Sequence, residues 1–544
     1  MDMRLKIPLL LLPFFFVLLQ ASNGQAVQQN SAGLKFSVSF DKSVHSSNIT
    51  GRVYVMISRK DTREPRNQVG VSGVPFWGMN VDGLAPGQCA SIDDKVFGYP
   101  LESIKDIPAG DYFVQGFINI YTEFKRSDGH TLWMHNDQWE GQDWRRGEGN
   151  LYSTVKKVTI DPAKPETIEL MCTNAIPAVK IPEDTKMVKR IKFKSKMLSD
   201  FWGQPIYLGA TVLLPNGYDE HQDKFYPVNY EHGHFGLGVP FGFRDPSAPA
   251  AASGRPDQGF TGFWMSDTCP PMIVINILHP CPYYDDSYAV NSPNVGPYDD
   301  AINQELIPML EQKFRIIGQP YARILSGGST GGWISLQQQI FHPDFYGGVF
   351  SSCADPVDFH YHQIVNIYDD PNAYYVEFEW NRIERPDTRR TDGNVRSTMA
   401  NENLYELVVG DKSRSGGQWD IWEAAFSPIG PDGYPMRVWD KRTGVIDHAV
   451  AAQWKKYDLH VYLEENWPKI GKDLVGKFFI YTGDMDTYYL NNAMELLDGF
   501  LKKTKDPYFD GLVEFGRKQP HGYGPRGAEL VKLMAKQVEK NSKK

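Results

Sequence analysis

The sequence predicts two folding units: an all-β domain followed by an α/β domain built on a largely parallel sheet. Three observations carry this reading. Residues 33–175 hold short runs in which apolar and polar residues alternate, separated by Gly, Pro, Asn and Asp clusters, the pattern of a β-sandwich-like domain. From residue 191 to about 540, apolar runs of strand length alternate with amphipathic helices. Between the two, residues 176–190 carry Pro177 and Pro182 and read as a linker. With 544 residues, 41% apolar and 13% aromatic, the chain has apolar material for two cores and is not of disordered composition.

Residues 1–26 read as an address. Arg4 and Lys6 precede an uncharged run from Ile7 to Leu19, and the small residues Ser22, Asn23 and Gly24 follow. This is the order of a secretory signal, and the apolar run is too short to span a bilayer as a helix. Cleavage near Gly24 or Ala26 would take the net charge from −9 to −10. The expectation is therefore a secreted, periplasmic or extracellular protein with no stable membrane span. Its acidic balance argues against a nucleic-acid partner.

Secretion makes disulfides possible, and the five cysteines are Cys89, Cys172, Cys269, Cys281 and Cys353. Cys269 and Cys281 bracket an apolar run, Met272 to Leu278, that reads as a buried strand. At roughly 3.3 Å per residue its ends stand about 23 Å apart, too far for a bridge. Cys89–Cys172 is the expected pairing. Asn48-Ile49-Thr50 is a glycosylation sequon, relevant in a eukaryotic host.

In the β-domain the expected strands begin at Gly33, Gly51, Tyr112, Val155 and Thr167. Trp133, His135, Trp139 and Trp144 crowd one segment. They could form a sugar-stacking platform, but aromatics this large more commonly fill a core or a domain interface. His130, His135, Asp137 and Asp143 match no metal-ligand spacing. In the α/β domain, strands are expected at Ile206–Leu214, Tyr226–Tyr230, Met272–Leu278, Tyr321–Leu325, Tyr346–Ser352, Phe478–Tyr481 and Leu512–Phe515. Helices are expected at Ala301–Phe314, kinked by Pro308, at Trp333–Phe341 and at Asn492–Lys503.

The chemistry centres on Gly327-Gly328-Ser329-Thr330-Gly331, a G-x-S-x-G pattern. Five residues alone are a weak signal; their place between a strand and an amphipathic helix strengthens it, because a strained strand–turn–helix elbow presents a serine there. Glycines let strand and helix backbones approach, and the helix N-terminus favours a developing oxyanion. A serine hydroxyl needs a general base. In the α/β-hydrolase arrangement the order is Ser, acid, His. His521 is the one histidine beyond the last acid-bearing strand end, and Asp484 and Asp486 are the two acids there. The second oxyanion donor is expected from the N–H of His234, after Gly233, beside that of Thr330. The pair His232 and His234 could in principle bind zinc, but no third ligand is apparent, so no metal is assigned.

Together these residues resemble the esterase D-like, or "putative esterase", family of α/β-hydrolases. Its members include feruloyl esterases, S-formylglutathione hydrolase, enterochelin esterases and mycolyltransferases. The resemblance runs in pieces from Tyr207 to Gly524: Tyr226-Pro-Val followed by His232-Gly233; Glu305-Leu-Ile-Pro; Ser329-Thr-Gly-Gly; and His342-Pro-Asp-Phe-Tyr-Gly. The family places its acid fourth in a Gly-x-x-Asp turn, which implies Asp486 as the catalytic acid with Asp484 as the alternate. Three departures stand out. Glu231 replaces a usually apolar residue, Gly328 a usually larger one, and 157 positions separate Ser329 from Asp486. The extra length lies in residues 357–472, a lid-like insertion expected to set substrate choice. Arg382, Arg385, Arg389 and Arg390 within it are expected to form a solvated surface, with recognition of an acidic substrate group as the alternative.

The function expected is a serine esterase acting through Ser329, His521 and Asp486 on a small-molecule or carbohydrate-linked ester, with no cofactor. An acyltransferase using the same triad is the first alternative. A non-catalytic carbohydrate-binding or surface protein on a hydrolase scaffold is the second, and a serine peptidase of this fold the third.

Overall fold

The computed structural model describes residues 33–135, 143–233, 236–246, 259–284 and 286–543. The expected signal segment, Asp137, Trp139 and His234 lie outside the described residues.

In the N-terminal domain nine strands form one continuous sheet. Its longest members are Leu34–Phe40, Ile49–Ser58, Phe76–Leu84, Gly110–Ile120 and Glu166–Ala175. The first and last of these pair in parallel, Leu34 opposite Glu166. The sheet curls on itself: Leu34–Phe40 lies against Ile49–Ser58, and Phe76–Leu84 against Ala90–Ile92, although neither pair shares hydrogen bonds. Strand alternation fills the enclosed space with Phe36, Val38, Val53, Val55, Val114 and Ile118. The expected disulfide does not form. Cys172 points into this core while Cys89 lies exposed in the turn before Ala90–Ile92, so both are free thiols.

The α/β domain holds an eight-stranded sheet. We number its strands β1 (Val188–Ser195), β2 (Ile206–Leu213), β3 (Val228–His232), β4 (Ile273–Leu278), β5 (Arg323–Gly328), β6 (Gly348–Ser352), β7 (Phe478–Gly483) and β8 (Leu512–Gly516). Their order across the sheet is β1-β2-β4-β3-β5-β6-β7-β8. Only β2 runs antiparallel to its neighbours; from β4 to β8 every pairing is parallel. Strand β1 begins inside the segment expected to be linker. Its sequence alternates apolar residues with Lys and Arg, as suits an edge strand that must resist pairing with other chains.

The helix expected over residues 301–314 is split. Ala301–Leu306 is a π-segment and Ile307–Lys313 an α-helix. Pro308 has no N–H to give the preceding turn, so that turn widens rather than simply bending.

Residues 357–472 are not a loose cover. Two hairpins, Tyr375–Glu377 with Arg382–Glu384 and Pro386–Arg389 with Val395–Thr398, precede the helices Met399–Val409, Gln418–Phe426 and His448–Trp454. Trp419, Trp422, Trp439 and Trp454 are buried in one cluster with the residues packed on the sheet. The last helix, Leu459–Leu474, lies directly on the helix that follows β5 and so belongs to the α/β layers themselves. Met399–Val409 reaches the other domain: Arg52 donates through Nε to Val408 O at 2.9 Å, and Val408, Val409 and Tyr405 pack with Tyr54, Phe76 and Trp144. Trp144 stacks on Tyr54 with ring centroids 4.8 Å apart. This tryptophan is therefore interface filling, as the sequence suggested, and not a sugar platform.

Candidate active site

Strand β5 delivers Gly327 and Gly328, and Ser329 turns the chain at φ 58° and ψ −125° into the helix Thr330–Phe341. A non-glycine residue pays conformational strain there, held only because its surroundings over-determine it. Two glycines permit the turn. A Cβ at Gly327 would stand 2.1 Å from Gly331 O, and one at Gly331 would stand 1.9 Å from His232 O. The second distance also shows that the chain leaving β3 crosses the elbow, where the oxyanion donor was expected. Ser329 itself is pinned by its backbone: its N–H donates to Ser352 O at 2.9 Å, and its carbonyl accepts from Asp355 N–H at 3.2 Å. Its side chain caps no helix N–H.

Thr330 is fully buried at the start of the helix. Its hydroxyl donates to Asp355 Oδ2 at 2.9 Å, an oxygen that also accepts from Tyr288 Oη at 2.5 Å. The Thr330 N–H sits in the first helical turn, where backbone donors have no intrahelical partner.

Asp486 and His521 meet beyond the ends of β7 and β8. His521 Nδ1 lies 2.8 Å from Asp486 Oδ2, and Asp486 Oδ1 accepts from Tyr488 N–H at 2.8 Å. The carboxylate is fully buried, while about a fifth of the imidazole side chain is exposed. Burial disfavours the charged ring, but the hydrogen bond and charge of Asp486 outweigh it and raise the His521 pKa above the ordinary histidine value. Tyr488 stands edge-on to the ring, with centroids 5.0 Å apart. Asp484, the alternate acid, does not reach the imidazole. Its Oδ1 accepts from Lys518 N–H at 2.5 Å, so it braces the loop that carries His521.

The histidine loop and the serine elbow converge on residues 352–355. Gly522 N–H donates to Cys353 Sγ at 3.1 Å. A Cβ at Gly524 would meet Ser352 Oγ at 2.4 Å, so only glycine lets this loop lie against β6. Asp355, bonded to the Ser329 backbone, also acts electrostatically on His521. The His521–Asp486 bond is made, whereas no hydrogen bond joins Ser329 Oγ to His521 Nε2. Such bonds often tighten only when substrate enters.

On the β3 side, His232 is buried, its pKa pushed down to about 3 chiefly by desolvation, and neither ring nitrogen has a partner among the described residues. It is a neutral ring, 5.8 Å from that of His279. Burial pushes Glu231 up to about 7.

The arginines of 357–472 form neither a shared anion site nor a simply solvated surface. Arg385 pairs with Asp370 at 2.8 Å, Arg382 lies over the Tyr375 ring, and Arg390 sits 3.8 Å from Asp392. Arg389 does more: its Nε donates to Asp486 O at 2.9 Å and its guanidinium covers Tyr489, so it fixes the turn bearing the acid. Two groups among the described residues offer metal-ligand atoms within 4.8 Å of one another, Cys353–Asp486–His521 and Asp358–His360–Asp458. In both, these atoms are engaged in hydrogen bonds within the protein.

Sequence reasoning named neither Asp355 nor Tyr488, took Cys353 only as one of five cysteines, and placed Arg389 in a solvated surface or acidic-group site rather than on the acid turn. Cys353 and Asp355 had a usable signal: they follow the end of β6, and in parallel sheets the ends of the strands build the site. Arg389 had none, because it reaches the acid from a hairpin 97 residues away.

Residues 266–465 match the profile of the family described as "Esterase: Putative esterase". The match supports ester hydrolysis and agrees with the resemblance drawn from the motifs. No curated protein matches the chain. Among solved structures, a ferulic acid esterase is 15% identical, covering 65% of this chain and 97% of that chain at a TM-score of 0.36. An S-formylglutathione hydrolase from Agrobacterium tumefaciens is 11% identical, covering 67% and 98% at 0.35. A ferulic acid esterase from Anaeromyces mucronatus, in complex with ferulic acid, is 14% identical, covering 65% and 92% at 0.28. The matched stretch includes Ser329 and ends before Asp486 and His521.

Proposed function

We propose that this chain is a secreted carboxylic-ester hydrolase whose nucleophile is Ser329, whose base is His521 and whose orienting acid is Asp486. The observation that carries the reading is the buried Asp486–His521 pair at 2.8 Å, set beside a serine held at φ 58° on a strand–helix elbow. In this mechanism Ser329 Oγ attacks the ester carbonyl carbon and His521 Nε2 takes the hydroxyl proton. Asp486 keeps the other ring nitrogen protonated and stabilises the imidazolium. The Thr330 N–H and that of His234 bind the oxyanion. His521 returns the proton to the departing alcohol oxygen, leaving an acyl-serine. Water, deprotonated by the same imidazole, then releases the acid and regenerates the serine. The family match favours an ester substrate, which we read as uncharged, including carbohydrate-linked or aromatic acyl esters.

Labelling with a fluorophosphonate probe, read by mass spectrometry of the peptide bearing Ser329, tests the nucleophile. The expected result is a single adduct lost in Ser329→Ala. Folded wild-type protein that stays unlabelled and hydrolyses none of a panel of acetyl, butyryl and feruloyl esters would overturn the proposal. Secretion rests on residues 1–26. N-terminal sequencing of protein recovered outside the cell should begin near Gln25 or Val27.

A further inference from the structure

The free thiol of Cys353 stands where no role has yet been assigned, and its surroundings are specific. It follows β6 directly, at φ 45°, a backbone conformation that L side chains rarely adopt. That conformation is locked by its N–H, which donates to Tyr481 O at 2.6 Å, and by the pairing of Ser352 with both Gly328 and Tyr481. The side chain is thereby aimed at the loop after β8. Sγ accepts the N–H of Gly522 at 3.1 Å and donates to the Tyr523 carbonyl at 3.5 Å, the two residues that follow the proposed base. Gly522 sits at φ 88°, so this turn has no regular structure to hold it in place. Sγ also lies within 4.8 Å of ligand atoms of both Asp486 and His521.

The same short segment holds the nucleophile. Ser352 O accepts the Ser329 N–H, and Asp355 N–H donates to Ser329 O. Residues 352–355 therefore hydrogen-bond the serine backbone and, through the Cys353 sulfur, the histidine loop. We propose that Cys353 is a positioning residue: its buried thiol ties the loop of His521 to the end of β6, whose backbone holds Ser329, and so sets the distance between base and nucleophile. The inference rests on the serine-hydrolase reading above. It assigns to the thiol no covalent chemistry and no proton transfer, only two hydrogen bonds to backbone. A misplacement of about 1 Å at a reacting group can cost on the order of a hundredfold in rate.

Two variants and two readouts test this. In Cys353→Ala both tethers go; in Cys353→Ser a hydroxyl can still accept and donate. With an activated aryl ester, Cys353→Ala should lower kcat by about tenfold to a hundredfold with KM within about twofold, as expected for an interaction that matters after substrate is bound. Cys353→Ser should recover most of the loss. The second readout needs no turnover: NMR titration of the His521 imidazole. Loosening the loop weakens the bond to Asp486, so the ring pKa should fall toward the ordinary histidine value in Cys353→Ala and stay raised in Cys353→Ser. An unchanged kcat and an unchanged His521 titration in a folded Cys353→Ala would overturn the proposal. So would a serine variant as impaired as the alanine one in both readouts. Inactive wild-type protein with an intact titration difference would instead overturn the hydrolase reading and leave the tether standing.

Discussion

Among the aspartate–histidine pairs of the described α/β domain, two have nearly the same local chemistry. Asp486 and His521 meet at 2.8 Å; Asp358 and His460 meet at 2.5 Å. In each the carboxylate is almost fully buried, the imidazole partly exposed and its pKa raised by the acid against the opposing effect of burial. The difference lies in what surrounds them. His521 hangs on a loop bonded to the end of β6, whose backbone in turn holds Ser329. His460 is locked into the first turn of the helix Leu459–Leu474, its N–H donating to Val357 O, while Asp358 also holds His360 at 2.7 Å. Asp458, which caps that helix, in turn accepts the N–H of Phe359. The second pair is a clasp between two turns with no serine elbow beside it. A buried carboxylate–imidazole pair is therefore not a catalytic signature until a nucleophile and oxyanion donors share its position.

The sharpest way to break this contrast is to remove the nucleophile. Ser329→Ala should reduce ester hydrolysis by at least about a thousandfold while leaving the thermal transition in place. Retained turnover would dissolve the distinction between the pairs. The next largest effect comes from the acids. Asp486→Asn should lower kcat by about a thousandfold to ten-thousandfold, because the amide no longer fixes the productive tautomer. Asp358→Asn should leave kcat within about threefold and instead cost about 1–3 kcal/mol of stability in urea unfolding, by unpairing buried donors. Equal kinetic losses in the two variants would show that the clasp, too, takes part in the reaction.

Smaller effects follow from pH. The raised pKa of His521 means that the base is protonated to a higher pH than a free histidine, so the acid limb of kcat/KM should lie above about 6.5. In the clasp the same direction of shift acts on stability. A His460 pKa raised on folding gives stabilisation that is complete below the unfolded value near 6.5 and is lost as pH rises through the folded value. The difference in melting temperature between wild type and His460→Ala should accordingly shrink as pH rises above about 6.5. A difference that grows with rising pH would contradict the assigned direction.

The N-terminal domain was legible because strand alternation is local: Phe36, Val38 and Val55 are buried as their spacing requires. The elbow was legible for the same reason, since glycines at 327 and 331 are needed for contacts that the motif itself creates. Chain order led to His521 and the Gly-x-x-Asp turn to Asp486; of the two acids the resemblance weighed, Asp486 bonds the imidazole and Asp484 the Lys518 N–H. The bounds of the large insertion were less legible. Its buried tryptophans and its last helix pack with the sheet layers, and packing partners leave no mark on composition.

What the sequence determined by itself is the local grammar: a strand-rich first stretch, alternating strands and helices after it, a strand–turn–helix around Ser329, and an acid and a histidine at the later strand ends. Periodicity and turn residues encode these because each depends on neighbours within a few positions. Tertiary structure alone decided which groups hold that chemistry in place. Cys353 meets Gly522 across 169 residues and Arg389 meets Asp486 across 97, and a short edge of Lys-rich strand begins where proline suggested only a linker. Contacts between distant segments depend on how sheet and loops converge, and no local pattern records them.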